Sequence, residues 1–160
     1  MAVVCNRGDD KMKKYIENIE NTFVGYLRNI GEYGENNIVL MEELKNIIKG
    51  NGLWDESTII YGIALDNPNE VDPLNCRYDV CVVLKDKNMK QLKYRYIEGG
   101  LYLILRIEHT SQAVQNLYMR LHELVSESRY EYDNTRVTME RYIVNVVEQH
   151  ECDICIPIKY

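Results

Sequence analysis

Asp79-Val-Cys-Val82 and Asp153-Ile-Cys-Ile156 are two versions of one short pattern, in which an aspartate opens an apolar run that contains a cysteine. Each version lies near the end of a segment that reads strand, helix, strand, strand, and Arg28 and Arg106 close the first strands of the two segments. The repeat predicts an α+β fold of two strand-helix-strand-strand modules related by pseudo-two-fold symmetry. We expect antiparallel sheets and two main helices enclosing a central cleft, because the seam between unlike copies is a natural cavity.

A single domain over residues 1–160 is predicted to hold both modules, with a first half at about 13–85 and a second half at about 92–160. Residues 1–12 belong to neither module. An extra strand and a disordered tail are both compatible with their sequence.

Two apolar stripes with helical spacing predict the main helices. The first ends at Gly50, where we expect a positive φ, and the second follows Thr110 and Ser111, either of which can cap it. The stripes are Leu40, Met41, Leu44, Ile47 and Ile48, then Val114, Leu117, Tyr118, Leu121, Leu124 and Val125. The predicted strands are Thr22–Arg28, Thr58–Leu65, Tyr78–Leu84, Leu92–Ile97, Leu101–Ile107, Val137–Val147 and Cys152–Ile158.

Composition places the chain among globular proteins. Its 160 residues are 46% apolar and 28% charged with few glycines and prolines, and no helical apolar run is long enough to span a membrane. The short apolar stretch at the N-terminus is no signal peptide, so a cytoplasmic protein is expected. A net charge of −6 without a basic run argues against nucleic acid as a direct ligand.

The most informative strand is Val137–Val147, because alternation sets Glu140 on one face with Tyr142 and apolar residues. A carboxylate on an internal face is neutral, is paired with an arginine or awaits a cationic ligand; a carboxylate at a sheet edge is solvated. Under the duplication, Tyr61 is expected opposite Glu140. Such a pair could attract a cation or act as acid and base.

The chain holds 13 tyrosines but one phenylalanine, and each buried tyrosine must place its hydroxyl somewhere polar. Some of the rings are therefore expected to line a wet or ligand-filled cavity. The further candidates for an aromatic cage are Tyr78, Tyr102, Tyr118 and Trp54.

No cofactor or metal site is predicted. Cysteines three apart on an extended strand point to opposite faces, so the spacing argues against zinc, and Cys81 and Cys155 are expected to be core residues. The three histidines suggest no hydrolytic triad, and no phosphate-binding loop is present. The five cysteines are Cys5, Cys76, Cys81, Cys152 and Cys155.

Five stretches in order, over about Lys14 to Tyr160, resemble the DNA gyrase inhibitor-like proteins, which share the effector-binding domain of AraC-type and multidrug-responsive regulators. The stretches are Arg28-Asn-Ile-Gly-Glu-Tyr-Gly34, Tyr61-Gly-Ile-Ala-Leu-Asp-Asn-Pro68, Arg77-Tyr-Asp-Val-Cys81, Ile97-Glu-Gly-Gly-Leu-Tyr102, and Met139-Glu-Arg-Tyr142 with Asp153-Ile-Cys-Ile-Pro-Ile158.

The resemblance implies a cleft for bulky, hydrophobic, often cationic compounds, in which Glu140 meets the positive charge of the ligand. Aromatic walls of the family map onto Tyr61, Tyr78, Tyr102, Tyr118 and Tyr142. Because no helix-turn-helix region is seen before the domain, we expect a standalone member, as a monomer or weak dimer.

Three roles follow from the resemblance. The first is sensing or sequestration of a small molecule. The second is hydrolysis of reactive compounds such as cyclopropane-containing alkylators, which would use Glu140 and Tyr61. The third is inhibition of a protein target such as DNA gyrase or another topoisomerase.

Overall fold

The computed structural model describes residues 12–160, which form an α+β fold with nine strands and four α-helices. The predicted fold class is confirmed at this level. The strands are β1 (Lys13–Ile19), β2 (Thr22–Ile30), β3 (Ile59–Ala64), β4 (Arg77–Val83), β5 (Lys93–Ile97), β6 (Gly100–Glu108), β7 (Glu131–Tyr132), β8 (Met139–Ile143) and β9 (Glu151–Lys159). The helices are α1 (Glu35–Gly50), α2 (Ser111–Met119), α3 (Leu121–Glu127) and α4 (Val144–Val147).

The strands form one curled antiparallel sheet in the order β1-β6-β9-β8-β3-β4-β2-β5, with β7 paired to β9. The centre of the sheet is the antiparallel pair of β3 and β8, in which Gly62 lies opposite Glu140 and Ile60 opposite Tyr142. Because β3 and β8 are far apart in the sequence, this pairing brings distant segments together at the middle of the sheet.

The helices pack on one face of the sheet and leave a gap between them. Helix α1 buries Leu40, Leu44 and Ile48 against β3 and β4, as its apolar stripe predicts. Helices α2 and α3 pack on β6 and β9 through a second apolar cluster. Tyr142 contacts both clusters, so the strand β8 lies between the two helical layers.

The opposite face holds a core cluster without helix residues, and two buried aspartates lie on this side. Asp79 accepts two hydrogen bonds from Arg28, at 2.7 and 3.0 Å, and one from Arg95 at 2.8 Å. Asp153 is bound in the same way by Arg106 and Arg141. Arg28 and Arg106 were predicted to close the first strands of the two halves. In the structure, each of these arginines binds the aspartate of its own half of the chain.

Local structure departs from the predictions at three places. The predicted strand Val137–Val147 ends at Ile143 and continues as the single helical turn α4. The predicted second helix is interrupted at Arg120, which separates α2 from α3. The positive φ after α1 belongs to Gly52, at 70°, and not to Gly50, which is the last residue of the helix.

Other local predictions agree with the structure, while one strand was missed. Thr110 caps α2 by accepting a hydrogen bond from the Ala113 amide at 3.1 Å. Cys81 and Cys155 are fully buried in the core, as expected. Strand β1 was not predicted, because its residues are mostly polar or exposed. Residues 1–11 and Cys5 lie outside the described part of the chain.

None of the helices within residues 12–160 has the length and hydropathy that a membrane crossing requires.

Candidate functional site

A cavity of about 550 Å³ lies on the helical face of the sheet, above the central strands β3 and β8. Helix α1 forms one wall, and α4 with the end of β6 forms another. The lining residues are Asn37, Ile38, Met41, Glu42, Lys45, Trp54, Ile60, Tyr78, His109, Glu140, Tyr142, Val144, Val147 and Glu148. Its volume suits a drug-sized molecule.

Glu140 lies on the cavity floor, half-buried, with two tyrosine hydroxyls as its hydrogen-bond donors. Tyr142 is two residues further along β8, so both side chains lie on the same face, and its hydroxyl donates to Oε2. Tyr118 of α2 donates to Oε1 at 3.4 Å. Within residues 12–160, Glu140 forms no ion pair. Its negative charge is therefore held by neutral hydrogen-bond donors.

The environment of Glu140 opposes ionisation. Burial raises the pKa of Glu140 above its ordinary value, and the hydrogen bonds from Tyr142 and Tyr118 counteract part of this rise. Burial and the neighbouring carboxylate also raise the pKa of Tyr142, so its hydroxyl stays protonated and can donate. The site therefore presents a carboxylate whose charged form a bound cation would stabilise.

Gly62 gives the cavity floor room for a third tyrosine. Gly62 lies opposite Glu140 in the β3 and β8 pair, and a Cβ built on it would collide with the hydroxyl oxygen of Tyr78. The hydroxyl thus occupies the space that any other residue would fill with its side chain. A glycine inside a strand is typical of such close approaches.

Two nitrogen-bearing side chains, Lys45 and His109, also line the cavity. Lys45 of α1 is paired to Glu42 at 3.3 Å, and the His109 ring lies 5.3 Å from the Tyr142 ring. Burial lowers the pKa of His109, and the positive charge of Lys45 acts in the same direction. His109 is therefore mostly a neutral imidazole at pH 7.

Trp54 lies at the cavity wall, as the cage hypothesis expected, but one face of its ring is already covered. The Lys49 ammonium sits 4.5 Å from the ring centroid, at the distance of a cation–π contact. The remaining ring surface is what a ligand could contact.

Four of the seven predicted site residues line the cavity, namely Glu140, Tyr142, Tyr78 and Trp54. Tyr118 reaches it with its hydroxyl, although the side chain is 41% exposed. Tyr61 and Tyr102 lie in the core cluster on the opposite face of the sheet. The structure thus separates these two tyrosines from the other five residues.

The predicted register that sets Tyr61 opposite Glu140 is wrong by one residue. Tyr61 lies opposite Arg141, and Gly62 takes the place opposite Glu140. Because side chains alternate along a strand, a shift of one residue moves Tyr61 to the other face. There, burial raises the pKa of Tyr61 to about 12.

Several cavity residues were not predicted from the sequence. Gly62 carried a readable signal, because a glycine within an apolar strand indicates a close approach or a bulge. Lys45 and Glu42 carried no such signal, since charged residues on an amphipathic helix usually face solvent. His109 lines the cavity because it lies where β6 meets α2 in the fold, and the sequence does not show that position.

Within residues 12–160, the structure contains no cluster of three or more potential metal-ligating side chains. The four cysteines of this range are free and buried. Burial raises the pKa of the thiols of Cys81, Cys152 and Cys155 to about 12. These three side chains are therefore neutral at pH 7 and pack as small apolar groups.

Comparison with solved structures finds the same fold in the C-terminal domain of EcmrR, with a TM-score of 0.70 and 17% identity over 92% of this chain and 98% of that domain. In the cryo-EM structure of the EcmrR–DNA complex, the TM-score is 0.71 and the identity 16% over 92% of this chain, which spans 57% of the EcmrR chain. SAV2435 bound to tetraphenylphosphonium has a TM-score of 0.57 at 11% identity, covering 92% of this chain and 94% of SAV2435.

Sequence comparison gives a closer relationship. The SPbeta prophage-derived candidate transcriptional regulator YosT of Bacillus subtilis (strain 168) is 32% identical over 151 residues, which are 92% of this chain and all of YosT. A family model described as the GyrI-like small molecule binding domain matches residues 12–159. The resemblance seen in the sequence is thus confirmed, and the chain belongs to the GyrI-like family of small molecule binding domains.

Proposed function

We propose that this GyrI-like domain binds a bulky hydrophobic cation in the cavity, with Glu140 as the counter-ion. The observation that carries the proposal is the state of Glu140, a half-buried carboxylate with two tyrosine donors and no cationic partner among the described residues. Such a carboxylate is costly without an opposite charge. A bound cation supplies that charge and lowers the pKa of Glu140 toward its ordinary value.

The walls of the cavity suit an apolar cation. Ile38, Met41, Ile60, Val144 and Val147 supply apolar surface. The rings beside Glu140 can attract a cation through their π faces, an interaction of about 0.5–2 kcal/mol. The same fold in the structure of SAV2435 bound to tetraphenylphosphonium gives independent support for this ligand class. Apolar walls discriminate poorly between hydrophobic isosteres, so broad selectivity for the apolar part of the ligand is expected.

The test is a titration with tetraphenylphosphonium and, as a neutral aromatic analogue, triphenylphosphine oxide. Isothermal titration calorimetry is performed on the wild type, on Glu140→Gln and on the surface control Glu20→Gln. The comparison separates the effect of the ligand's charge on binding from the effect of its shape. We expect Glu140→Gln to weaken cation binding by between about fivefold and several hundredfold, the range of about 1–4 kcal/mol that a charge pair at about 4 Å gives between bulk-water and surface screening. Binding of the neutral analogue should change little.

Equal losses for the cation and for the neutral analogue would contradict a counter-ion role. Retention of full cation affinity in Glu140→Gln would do the same. Glu20 lies in an exposed turn between β1 and β2 and should leave both titrations unchanged.

The hydrolase hypothesis loses its predicted pair of residues. It required Glu140 and Tyr61 at one centre, whereas the two side chains lie on opposite faces of the sheet. The interaction with a protein target such as DNA gyrase has no feature in its favour among the described residues. Binding of a small molecule is therefore the function that we propose.

We also infer that the domain consists of two related modules. The strand order β6-β9-β8 on one side of the centre corresponds to β2-β4-β3 on the other. Arg106 binds Asp153 in one half as Arg28 binds Asp79 in the other. The free cysteines of the described part fit a reducing, cytoplasmic compartment.

A further inference from the structure

Tyr78 differs from the other two tyrosines near Glu140 in what its hydroxyl binds. The hydroxyls of Tyr118 and Tyr142 donate to the two oxygens of Glu140. The Tyr78 hydroxyl has no hydrogen-bond partner within residues 12–160, although its ring lines the cavity. A half-buried hydroxyl without a partner is a polar group that a ligand can satisfy.

The position of this hydroxyl follows from Gly62. A Cβ on Gly62 would point to the same face as the Glu140 side chain, and it would collide with the Tyr78 hydroxyl. Cβ atoms of directly opposite residues lie about 5 Å apart, so the Tyr78 hydroxyl, which would collide with a Cβ on Gly62, lies on the same part of the cavity floor as the Glu140 side chain. The hydroxyl is therefore within reach of ligand atoms that lie next to a positive charge bound to Glu140.

The ring of Tyr78 is held in place by its neighbours. Tyr33 packs edge-on against it with the ring centroids 6.0 Å apart. The Tyr33 hydroxyl in turn donates to the carbonyl oxygens of Arg77, at 2.7 Å, and Asp66, at 2.9 Å. A hydroxyl fixed in this way costs little entropy when it binds a ligand.

We propose that Tyr78 is a specificity-determining residue that donates a hydrogen bond to an oxygen acceptor carried by the ligand next to its cationic centre. Gly62 acts as the positioning residue, because only a glycine leaves room for the hydroxyl. The inference rests on the proposed function and narrows the ligand to hydrophobic cations with an ether, carbonyl or hydroxyl oxygen a few bonds from the charge.

The donor role follows from the surroundings. Burial raises the pKa of the Tyr78 hydroxyl, and the Glu140 carboxylate raises it further, so the hydroxyl keeps its proton at pH 7. Both oxygens of Glu140 already accept a hydrogen bond from another tyrosine. The proton of Tyr78 is thus available for an acceptor on the ligand.

The test uses two phosphonium probes that differ by one oxygen, n-butyltriphenylphosphonium and (2-methoxyethyl)triphenylphosphonium. Dissociation constants are measured by calorimetry for the wild type, Tyr78→Phe and the surface control Glu20→Gln. We expect Tyr78→Phe to weaken binding of the methoxyethyl probe about three- to tenfold, the range of one hydrogen bond. Binding of the butyl probe should change by less than about twofold.

Two further variants test the role of Gly62. Gly62→Ala should weaken the binding of both probes, because the new Cβ displaces the Tyr78 hydroxyl into the cavity. In the double variant Gly62→Ala/Tyr78→Phe the hydroxyl is gone, and the nearest remaining ring atom, Cζ, would lie 3.4 Å from the Cβ, an ordinary contact. The double variant should therefore regain binding of the butyl probe and show no preference for the methoxyethyl probe.

The outcomes separate the two proposals. Suppose that both probes bind, that Glu140→Gln weakens their binding equally, and that Tyr78→Phe changes their affinities alike. The hydrogen-bonding role of Tyr78 is then refuted, while the counter-ion role of Glu140 stands. If neither probe binds, or if binding is independent of Glu140, the proposed function itself fails. A double variant that binds the butyl probe no better than Gly62→Ala would overturn the positioning role of Gly62.

Discussion

Glu140 is the residue at which folding and binding make opposite demands. Folding disfavours a half-buried charge, and burial accordingly raises the pKa of Glu140. Binding of a cation requires the same group to be ionised. Sites that keep such a charge commonly give up stability for function. The sequence pointed to this residue, because a carboxylate that alternates with apolar side chains on one strand is unusual.

Replacing Glu140 by Gln should stabilise the unliganded protein at neutral pH. A carboxyl group whose pKa is raised in the folded state contributes stability at low pH, and this contribution is lost as the pH rises through that pKa. We expect Glu140→Gln to melt a few degrees above the wild type at pH 7. The difference should vanish below the ordinary glutamate pKa of 4.5.

Thermal melts monitored by circular dichroism between pH 3.5 and 8 measure this difference, with Glu20→Gln as the exposed control. A Glu140→Gln variant that is less stable than the wild type at pH 7 would mean that the tyrosine hydrogen bonds outweigh the cost of burial.

At the scale of the elements, helix α1 and strand β8 decide the shape of the cavity. Helix α1 packs on β3 and β4 with one face and lines the cavity with residues such as Met41 and Lys45. Strand β8 ends at Ile143, and the turn α4 closes one end of the cavity with Val144 and Val147. The predicted longer strand would have left that end open.

The end of α1 provides a matched pair of glycine substitutions. Gly52 has a φ of 70° with no atom near its missing Cβ, so Gly52→Ala should destabilise the protein by about 1–2 kcal/mol through backbone conformation alone. Gly50 ends the helix without a positive φ and also has open space. Gly50→Ala should stabilise it by about 0.5–1 kcal/mol.

Urea unfolding of the two variants measures both changes. Opposite signs are expected at positions only two residues apart. A destabilising Gly50→Ala together with a neutral Gly52→Ala would show that the left-handed residue is Gly50, as the sequence alone had suggested.

At the scale of the whole molecule, two buried ion-pair clusters link neighbouring strands of the sheet. Asp79 of β4 binds Arg28 of β2 and Arg95 of β5, so three adjacent strands share one carboxylate. Asp153 of β9 binds arginines of β6 and β8 in the same way. Removing Asp79 leaves the guanidinium groups of Arg28 and Arg95 without this carboxylate, whereas removing Asp153 leaves buried Arg141 with Glu17 as its remaining partner.

Asp79→Asn and Asp153→Asn should each lower the free energy of unfolding by about 2–4 kcal/mol, somewhat below the range for fully buried pairs, because Arg28, Arg95 and Arg106 are partly exposed and Arg141 keeps its pair with Glu17. The control is Glu123→Gln, which removes an exposed pair with Arg120 and should change stability by less than about 0.5 kcal/mol. Urea denaturation provides the values. Losses as small as that of the control would show that the clusters contribute little to stability.

The local features of this protein follow from its amino-acid sequence alone. The apolar stripes set the helices, alternation set most strands, and the resemblance of ordered stretches set the family. Glu140 and Tyr142 could be placed on one face together because they are two residues apart on one strand. Each of these conclusions depends on neighbours in the chain, where spacing alone fixes geometry.

Which tyrosines reach Glu140 depends on the three-dimensional fold. Tyr61, Tyr78 and Tyr118 come from different elements, and their positions depend on the register of β3 against β8 and on how the helices pack. A shift of one residue in that register moved Tyr61 into the core and brought Gly62 opposite Glu140, leaving room for the Tyr78 hydroxyl. Strand pairing over such separations depends on contacts between distant residues, which local spacing does not encode.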